Sequence, residues 1–153
     1  MEQVTPHTRK IALRIAITLG DGSALTPLKR LAQFGLGGTQ GGGDQWFSWV
    51  HVSDLAASID FLINKPTAEG AYNIAAPKPL TNRDFMRTLR RIVGMPIGLP
   101  MPKFLLEFGA RFILHTQTEL VLKSRKVVSR RLPEAGFNFQ FTDVEAALKD
   151  ILK

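Results

Sequence analysis

Between Gly35 and Leu55 the chain passes in turn through three regimes of backbone freedom, and few layouts accept that order. Six of the nine residues from Gly35 to Gly43 are glycine. Gln45-Trp46-Phe47-Ser48-Trp49-Val50-His51-Val52 follows, an aromatic and β-branched run suited to a short strand. Leu55, Ile59, Leu62 and Ile63 then recur at helical spacing, with Ser53 or Asp54 as the expected N-cap and Lys65-Pro66 as the stop. A loop, a strand and an amphipathic helix in that order suit an α/β layout, in which strands alternate with helices packed on the sheet.

The flanking segments extend this pattern. Lys10 to Leu19 is rich in β-branched and apolar residues and ends at Gly20-Asp21-Gly22, which predicts a buried parallel strand. Arg14 interrupts it; a buried arginine either points toward a site or pairs with an acid. Ser23 to Phe34 predicts a helix capped by Ser23, with Pro27 near its first turn and Gly35 at its end. Gly70 to Ala75 predicts another strand, closed by Pro77 and Pro79.

Thr81-Asn82-Arg83-Asp84 has the pattern of a capping box. The helix it opens buries Phe85, Met86, Leu89, Ile92 and Val93, puts Arg83, Arg87, Arg90 and Arg91 on the opposite side, and ends at Gly94. Pro96 to Pro102 reads as an extended linker. Phe104 to Leu114 predicts a helix packed on most sides, and Glu119 to Leu122 another that reaches toward Val128. Gly136 to Phe141 alternates as a strand with three phenylalanines on one face. A second capping box at Thr142 to Glu145 starts a last helix with Val144, Ala147, Leu148, Ile151 and Leu152 inward. The expected division is an α/β part over residues 1–78 and a smaller, mainly helical subdomain over residues 79–153.

Composition narrows the chemistry. Hydrophobic residues make up 44% and charged residues 22%, values ordinary for a globular protein. No cysteine is present among the 153 residues, which excludes a disulfide, a thiolate zinc site and a cysteine nucleophile within them. No apolar run reaches membrane-spanning length, and Met1 to Lys10 lacks a secretory apolar segment, so a cytoplasmic location is expected. The net charge of +7 makes nucleic acid the partner to consider first. It gathers in the four helical arginines and in Lys123, Arg125, Lys126, Arg130 and Arg131. No aromatic residue interleaves with either group and no zinc-finger, homeodomain or RNA-recognition signature accompanies them, so nucleic acid is the alternative rather than the leading partner.

The glycine loop invites a phosphate-binding reading that its spacing does not support. Gly35 and Gly37 begin a G-x-G-x-x-G, but Gln40 stands at the third glycine, and no Lys-Ser or Lys-Thr follows. The loop also precedes a strand, whereas both phosphate motifs join a strand to a helix. It is either a mobile surface loop or a substrate-facing one whose glycines let backbone approach a ligand. His7, His51 and His115 lack metal spacing, and His51 reads as a structural histidine. No nucleophile elbow and no acid pair of hydrolase type occurs. No catalytic, cofactor-binding or metal-ligating residue is assigned.

Arg14-x-x-x-x-Leu19-Gly20 and Val50-His51-Val52-x-Asp54-Leu55 together resemble the C-terminal half of extended short-chain dehydrogenases/reductases of the nucleoside-diphosphate-sugar epimerase type. Gly35-Leu36-Gly37-Gly38, Ser48-Trp49-x-His51, Asn73-x-x-Ala76-Pro77-x-Pro79, Asn82-x-x-Phe85 and Pro100-x-Pro102 resemble one subfamily, the epimerase family proteins that end in the domain of unknown function 1731. Leu132-Pro133-Glu134-Ala135-Gly136-Phe137-x-Phe139 is similar to that domain's terminal signature, with Ser129 where relatives tend to carry proline.

The resemblance implies the C-terminal part of a Rossmann-like doubly wound sheet with a helical substrate-side subdomain. It implies NAD or NADP and a nucleotide-sugar-like small molecule in the full-length enzyme, with Arg14, Gly38, Gln45, Trp46, Ser48, Trp49 and His51 on the substrate side. Relatives are about twice as long and carry the dinucleotide loop and Tyr-x-x-x-Lys in their first half. Here the only tyrosine is Tyr72, with Ala76 where the lysine would stand. The expectation is therefore a C-terminal portion that is inactive alone and binds no dinucleotide by itself, its open sheet edge allowing homodimerisation.

Overall fold

The computed structural model describes residues 8–40, 42–99, 124 and 126–153. In chain order the elements are β1 (Ile11–Ile15), β2 (Ile17–Leu19), α1 (Leu25–Gln33), β3 (Trp46–Phe47), β4 (Trp49–His51), α2 (Val52–Ile63), β5 (Gly70–Ile74), β6 (Leu80–Thr81), α3 (Asn82–Ile92), α4 (Arg131–Glu134) and α5 (Val144–Ile151). The order confirms the α/β class.

The stretch from Ile11 to Leu19 is one extended run broken at Ala16, where it changes partner. β1 lies parallel to β5, with Ile11 opposite Gly70 and Ile15 opposite Ile74. β2 lies parallel to β4, with Ile17 opposite Trp49 and Leu19 opposite His51. At the switch the Ala16 N–H donates to Ile74 O and the Ile17 N–H to Ser48 O. Parallel strands need a crossover, and α2 supplies it between β4 and β5. A short antiparallel pair, β3 with β6, closes the other end.

The parallel strand is less buried than its composition predicts. Arg14 and Ile15 are exposed, because among the described residues β1 has a strand neighbour on one side only. Arg14 is thus a surface guanidinium and not a buried one. Ile63, expected in the core, is 64% exposed at the end of α2.

One apolar cluster joins Leu19, Leu25, Leu28, Ala32, Phe47 and Trp49 to Phe85, Met86, Leu89, Val144, Ala147 and Leu148. Its members come from both sides of residues 77–81, so the helices α3 and α5 share a core with the sheet. A second cluster under α2 contains Val50, Leu62, Tyr72, Ile74, Leu132 and Phe137.

The helix faces follow the 3.6-residue period, but their caps differ from expectation. Thr81 caps α3 as expected: its Oγ1 accepts from the Asp84 N–H at 3.2 Å and donates to the Asp84 carboxylate at 2.8 Å. α5 is capped by Asp143 rather than Thr142, the carboxylate accepting from the N–H groups of Glu145 and Ala146. Ser23 sits just ahead of α1, where its Oγ accepts from Leu25 N–H and ties back to Gly20. α2 starts at Val52, and its cap is neither Ser53 nor Asp54 but the imidazole of His51.

Two further expectations fail. Residues 136–141 alternate but join no ladder. Phe137 and Phe139 pack in the second cluster, while Phe141 turns to the first. Residues 126–130 are not helical, and the short helix α4 follows at Arg131. The helix expected over 104–114, and the start of the one expected at 119, lie outside the described residues. Among the described residues no helix is long and apolar enough to cross a membrane.

Candidate functional site

The aromatic strand sorts its side chains by parity. Phe47 and Trp49 are 1% and 0% exposed and belong to the core, whereas Trp46 and Ser48 turn the other way and line a cleft of about 1390 Å3. The period of two along an extended backbone causes this split. The floor of the cleft is the Ile11–Leu19 run from Arg14 to Thr18; Asn73 of β5 forms one side and Ser23 and Ala24 another.

Residues 126–131 form the remaining wall, as a strap laid across the strand ends. Ser124 Oγ accepts the Trp46 N–H at 3.1 Å, and Ser48 Oγ accepts the Val127 N–H at 2.8 Å. Ser129 Oγ donates to Asn73 O at 2.7 Å. Arg131 donates to the carbonyls of Ala71 and Glu69 and lies over the Tyr72 ring at 4.1 Å. The strap is therefore pinned to β3, to Ser48 and to β5.

Arg14, Lys126, Arg130 and Arg131 line this cleft, and no acidic side chain among the described residues does. The Arg131 head group is held by backbone carbonyls, which leaves Arg14, Lys126 and Arg130 as the cations around this space, an arrangement that favours a positive potential there. Lys126 Nζ sits 4.1 Å from the centroid of the Trp46 indole. The chemistry available is capture of an anion, with hydroxyl and amide groups from Ser48, Thr18 and Asn73 beside it.

Of the seven substrate-side residues expected from sequence, Arg14, Trp46 and Ser48 meet in the cleft. The other four lie elsewhere. Trp49 is in the core with its Nε1–H on Lys78 O at 3.2 Å. Gln45 donates to Gln40 O and accepts from Asn82 N–H. Gly38 is buried and donates its N–H to Leu99 O at 3.1 Å. His51 is buried behind the strand. Sequence reading placed Lys126 and Arg130 only in a charge run. The signal that could have singled them out is local: Lys123 to Arg131 holds five cations and no acid.

The glycine loop is packed at Gly37 and Gly38 and open at Gly42. A Cβ on Gly37 would lie 2.6 Å from Ala32 Cα, so the glycine permits close backbone approach to α1 and not to a ligand. Arg90 donates to Gly37 O at 2.7 Å, and Gln40 N–H donates to Asn82 Oδ1 at 2.9 Å. The N–H groups of Gly38 and Gln40 are thus used inside the protein and are not offered to a ligand.

His51 is a structural hinge between chain segments. Its Nδ1 accepts the Ser53 N–H at 3.1 Å, its ring stacks on Phe141 at 3.9 Å, and its Nε2 lies 3.5 Å from the Asp150 carboxylate of α5. Burial lowers its pKa from 6.5, against smaller opposing effects of Asp150 and Asp54. Protonation would also remove the lone pair that caps α2. Because the folded pKa lies below the unfolded one, the unfolded chain binds the extra proton first, and stability is lost as pH falls through and below 6.5. Denaturant midpoints measured on either side of that pH should show this decline, and His51→Asn, which keeps a capping acceptor, should flatten it.

The fold is that of the C-terminal part of a Rossmann-like epimerase. Residues 101–151 match the domain of unknown function DUF1731. An epimerase family protein of Staphylococcus aureus (strain NCTC 8325 / PS 47) is 35% identical over 147 residues, 95% of this chain and 48% of its own length. The structure of human epimerase family protein SDR39U1 (isoform 2) with NADPH superposes with a TM-score of 0.82 at 30% identity, covering 94% of this chain and 48% of that one. A nucleoside-diphosphate sugar epimerase from Corynebacterium glutamicum gives a TM-score of 0.72 at 28% identity, over 94% of this chain and 26% of that one. The chain belongs to the epimerase family proteins and corresponds to their C-terminal part, spanning about half the length of the curated relatives it matches.

Proposed function

We propose that this chain is the substrate-side lobe of an NAD(P)-dependent nucleotide-sugar epimerase or related oxidoreductase, and that its own contribution is to bind the phosphate-bearing part of the substrate. The observation that carries the reading is the cleft lined by Arg14, Lys126, Arg130 and Arg131, with no acidic side chain among the described residues that line it. It agrees with two similar structures, one of a protein with NADPH and one of a nucleoside-diphosphate sugar epimerase.

Hydride transfer needs a nicotinamide beside an acid/base group. The 153 residues contain no Tyr-x-x-x-Lys and no G-x-G-x-x-G, and the glycines at 35, 38 and 41 precede a strand instead of joining a strand to a helix as a dinucleotide loop does. The chain alone is therefore expected to bind anions without catalysing a reaction and without holding NADPH.

Calorimetric titration with inorganic pyrophosphate should show binding that weakens steeply as salt rises, because exposed charges are screened. The triple variant Arg14→Ala, Lys126→Ala, Arg130→Ala should lose at least about tenfold in affinity, since each ionic hydrogen bond to an anion is worth about 1.5–3 kcal/mol. Unchanged affinity would remove the cleft as the anion site, and micromolar NADPH binding would overturn the statement about the cofactor.

The alternative of a basic nucleic-acid surface on α3 is weakened by how its arginines are used. Arg83 pairs with Asp44, Arg87 with Asp84 and Arg91 with Glu145, while Arg90 serves the Gly37 carbonyl. Each pair sets a carboxylate beside the guanidinium, so this face carries less unbalanced positive charge than its four arginines alone would give.

A further inference from the structure

We propose that Trp46 is the ring-stacking platform of the cleft and that Lys126, which now covers its face, leaves the indole when an anion bearing an aromatic ring binds. This rests on the reading of the cleft as an anion site and assigns the part of the ligand that such a reading leaves open.

Trp46 is the member of the aromatic strand that the core does not use. Phe47 and Trp49 fill the interior from the opposite face, and Trp49 has a carbonyl for its indole N–H. Trp46 is half-buried and turns into the cleft with Ser48. Its position is set by its backbone bond to Ser124 Oγ, and that of Lys126 by the Val127 N–H on Ser48 Oγ. Two hydrogen bonds thus bring an aromatic face and an exposed ammonium group into register, at 4.1 Å.

A cation over an exposed ring is held more weakly than a cation in an ionic hydrogen bond to phosphate. A phosphate entering beside Arg14 and Arg130 therefore draws Lys126 away by its flexible stem. The ring face so uncovered stacks a flat group with little regard to its hydrogen-bonding pattern. The ligand class that uses both features is a phosphate linked to an aromatic ring, as in a nucleoside diphosphate. Neither a sugar phosphate without a base nor a bare nucleoside would use both.

The experiment titrates the full chain with inorganic pyrophosphate and with uridine diphosphate, following heat and tryptophan fluorescence. Wild-type protein should prefer uridine diphosphate by about fivefold to fiftyfold, with a fluorescence change that pyrophosphate produces only in part. Trp46→Leu should abolish the preference and leave pyrophosphate affinity within about twofold; Trp46→Phe should restore most of it. Lys126→Ala should weaken both ligands alike and keep the preference.

Equal affinity of the wild type for the two ligands, or a Trp46→Leu variant that weakens both alike, would overturn the platform while leaving the anion site intact. Failure of both ligands to bind would overturn the anion site and the platform with it. The Lys126→Ala and Trp46→Phe proteins, which alter an exposed side chain and a ring of similar shape, keep the test open if Trp46→Leu folds poorly.

Discussion

Phe85→Ala is expected to cost about 4 kcal/mol of stability and to lower one cooperative transition, not one of two. Phe85 is fully buried and stacks on Phe47 with ring centroids 4.2 Å apart. Its neighbours in the cluster include Leu19, Leu25 and Leu28 before residue 78 and Val144, Ala147 and Leu148 after it. A cavity at that point is felt by the sheet, by α1 and by α5 together. Urea unfolding followed by far-ultraviolet circular dichroism and by tryptophan fluorescence should give coincident curves for wild type and variant. Two separated transitions, only one of them displaced, would establish an independently folding helical unit and divide the core near residue 78.

A comparable loss is expected from Asp54→Ala, about 3 kcal/mol, through a different mechanism. Asp54 is 2% exposed, and its two carboxylate oxygens accept the N–H groups of Gln140 at 2.8 Å and Phe141 at 2.9 Å. Truncation leaves both donors without a partner in a part-buried region. Asp54→Asn should fall between, because an amide offers one acceptor oxygen where the carboxylate offers two. Equilibrium denaturation checks this series; wild-type stability in the alanine protein would mean that water replaces the carboxylate without penalty.

These two residues also mark what sequence could and could not disclose. The inward face of α3 was legible, since Phe85, Met86 and Leu89 repeat at the helical period and nothing opposes it. The role of Asp54 was not. Near a helix start, an aspartate is ordinarily a cap, and only the fold brings residues 140 and 141 to its carboxylate. The hydrogen bonding explains why residues 136–141 alternate without pairing: the N–H groups of Gln140 and Phe141 go to the Asp54 carboxylate, and those of Gly136 and Phe137 to the carbonyls of Pro133 and Leu132.

His51 took the capping role because its Nδ1 reaches Ser53, a use of imidazole that residue preferences do not favour. In the cleft, the parity of Trp46 and Ser48 against Phe47 and Trp49 was implicit in the strand assignment. The placement of Lys126 opposite them was not, because it depends on a strap whose anchors are hydroxyl groups far away in sequence.

The break at Ala16 has an implication for coupling. Arg14 and Ile15, at the end of β1, line the cleft, and β1 still has one edge with no strand neighbour among the described residues. Any strand that pairs along that edge also becomes a boundary of the cleft proposed as the anion site. Docking of such a strand and capture of the proposed ligand are then thermodynamically linked: each changes the affinity of the other by the same factor, whichever arrives first. A switch of partner by one residue in a short extended run thus makes assembly and recognition reciprocal quantities.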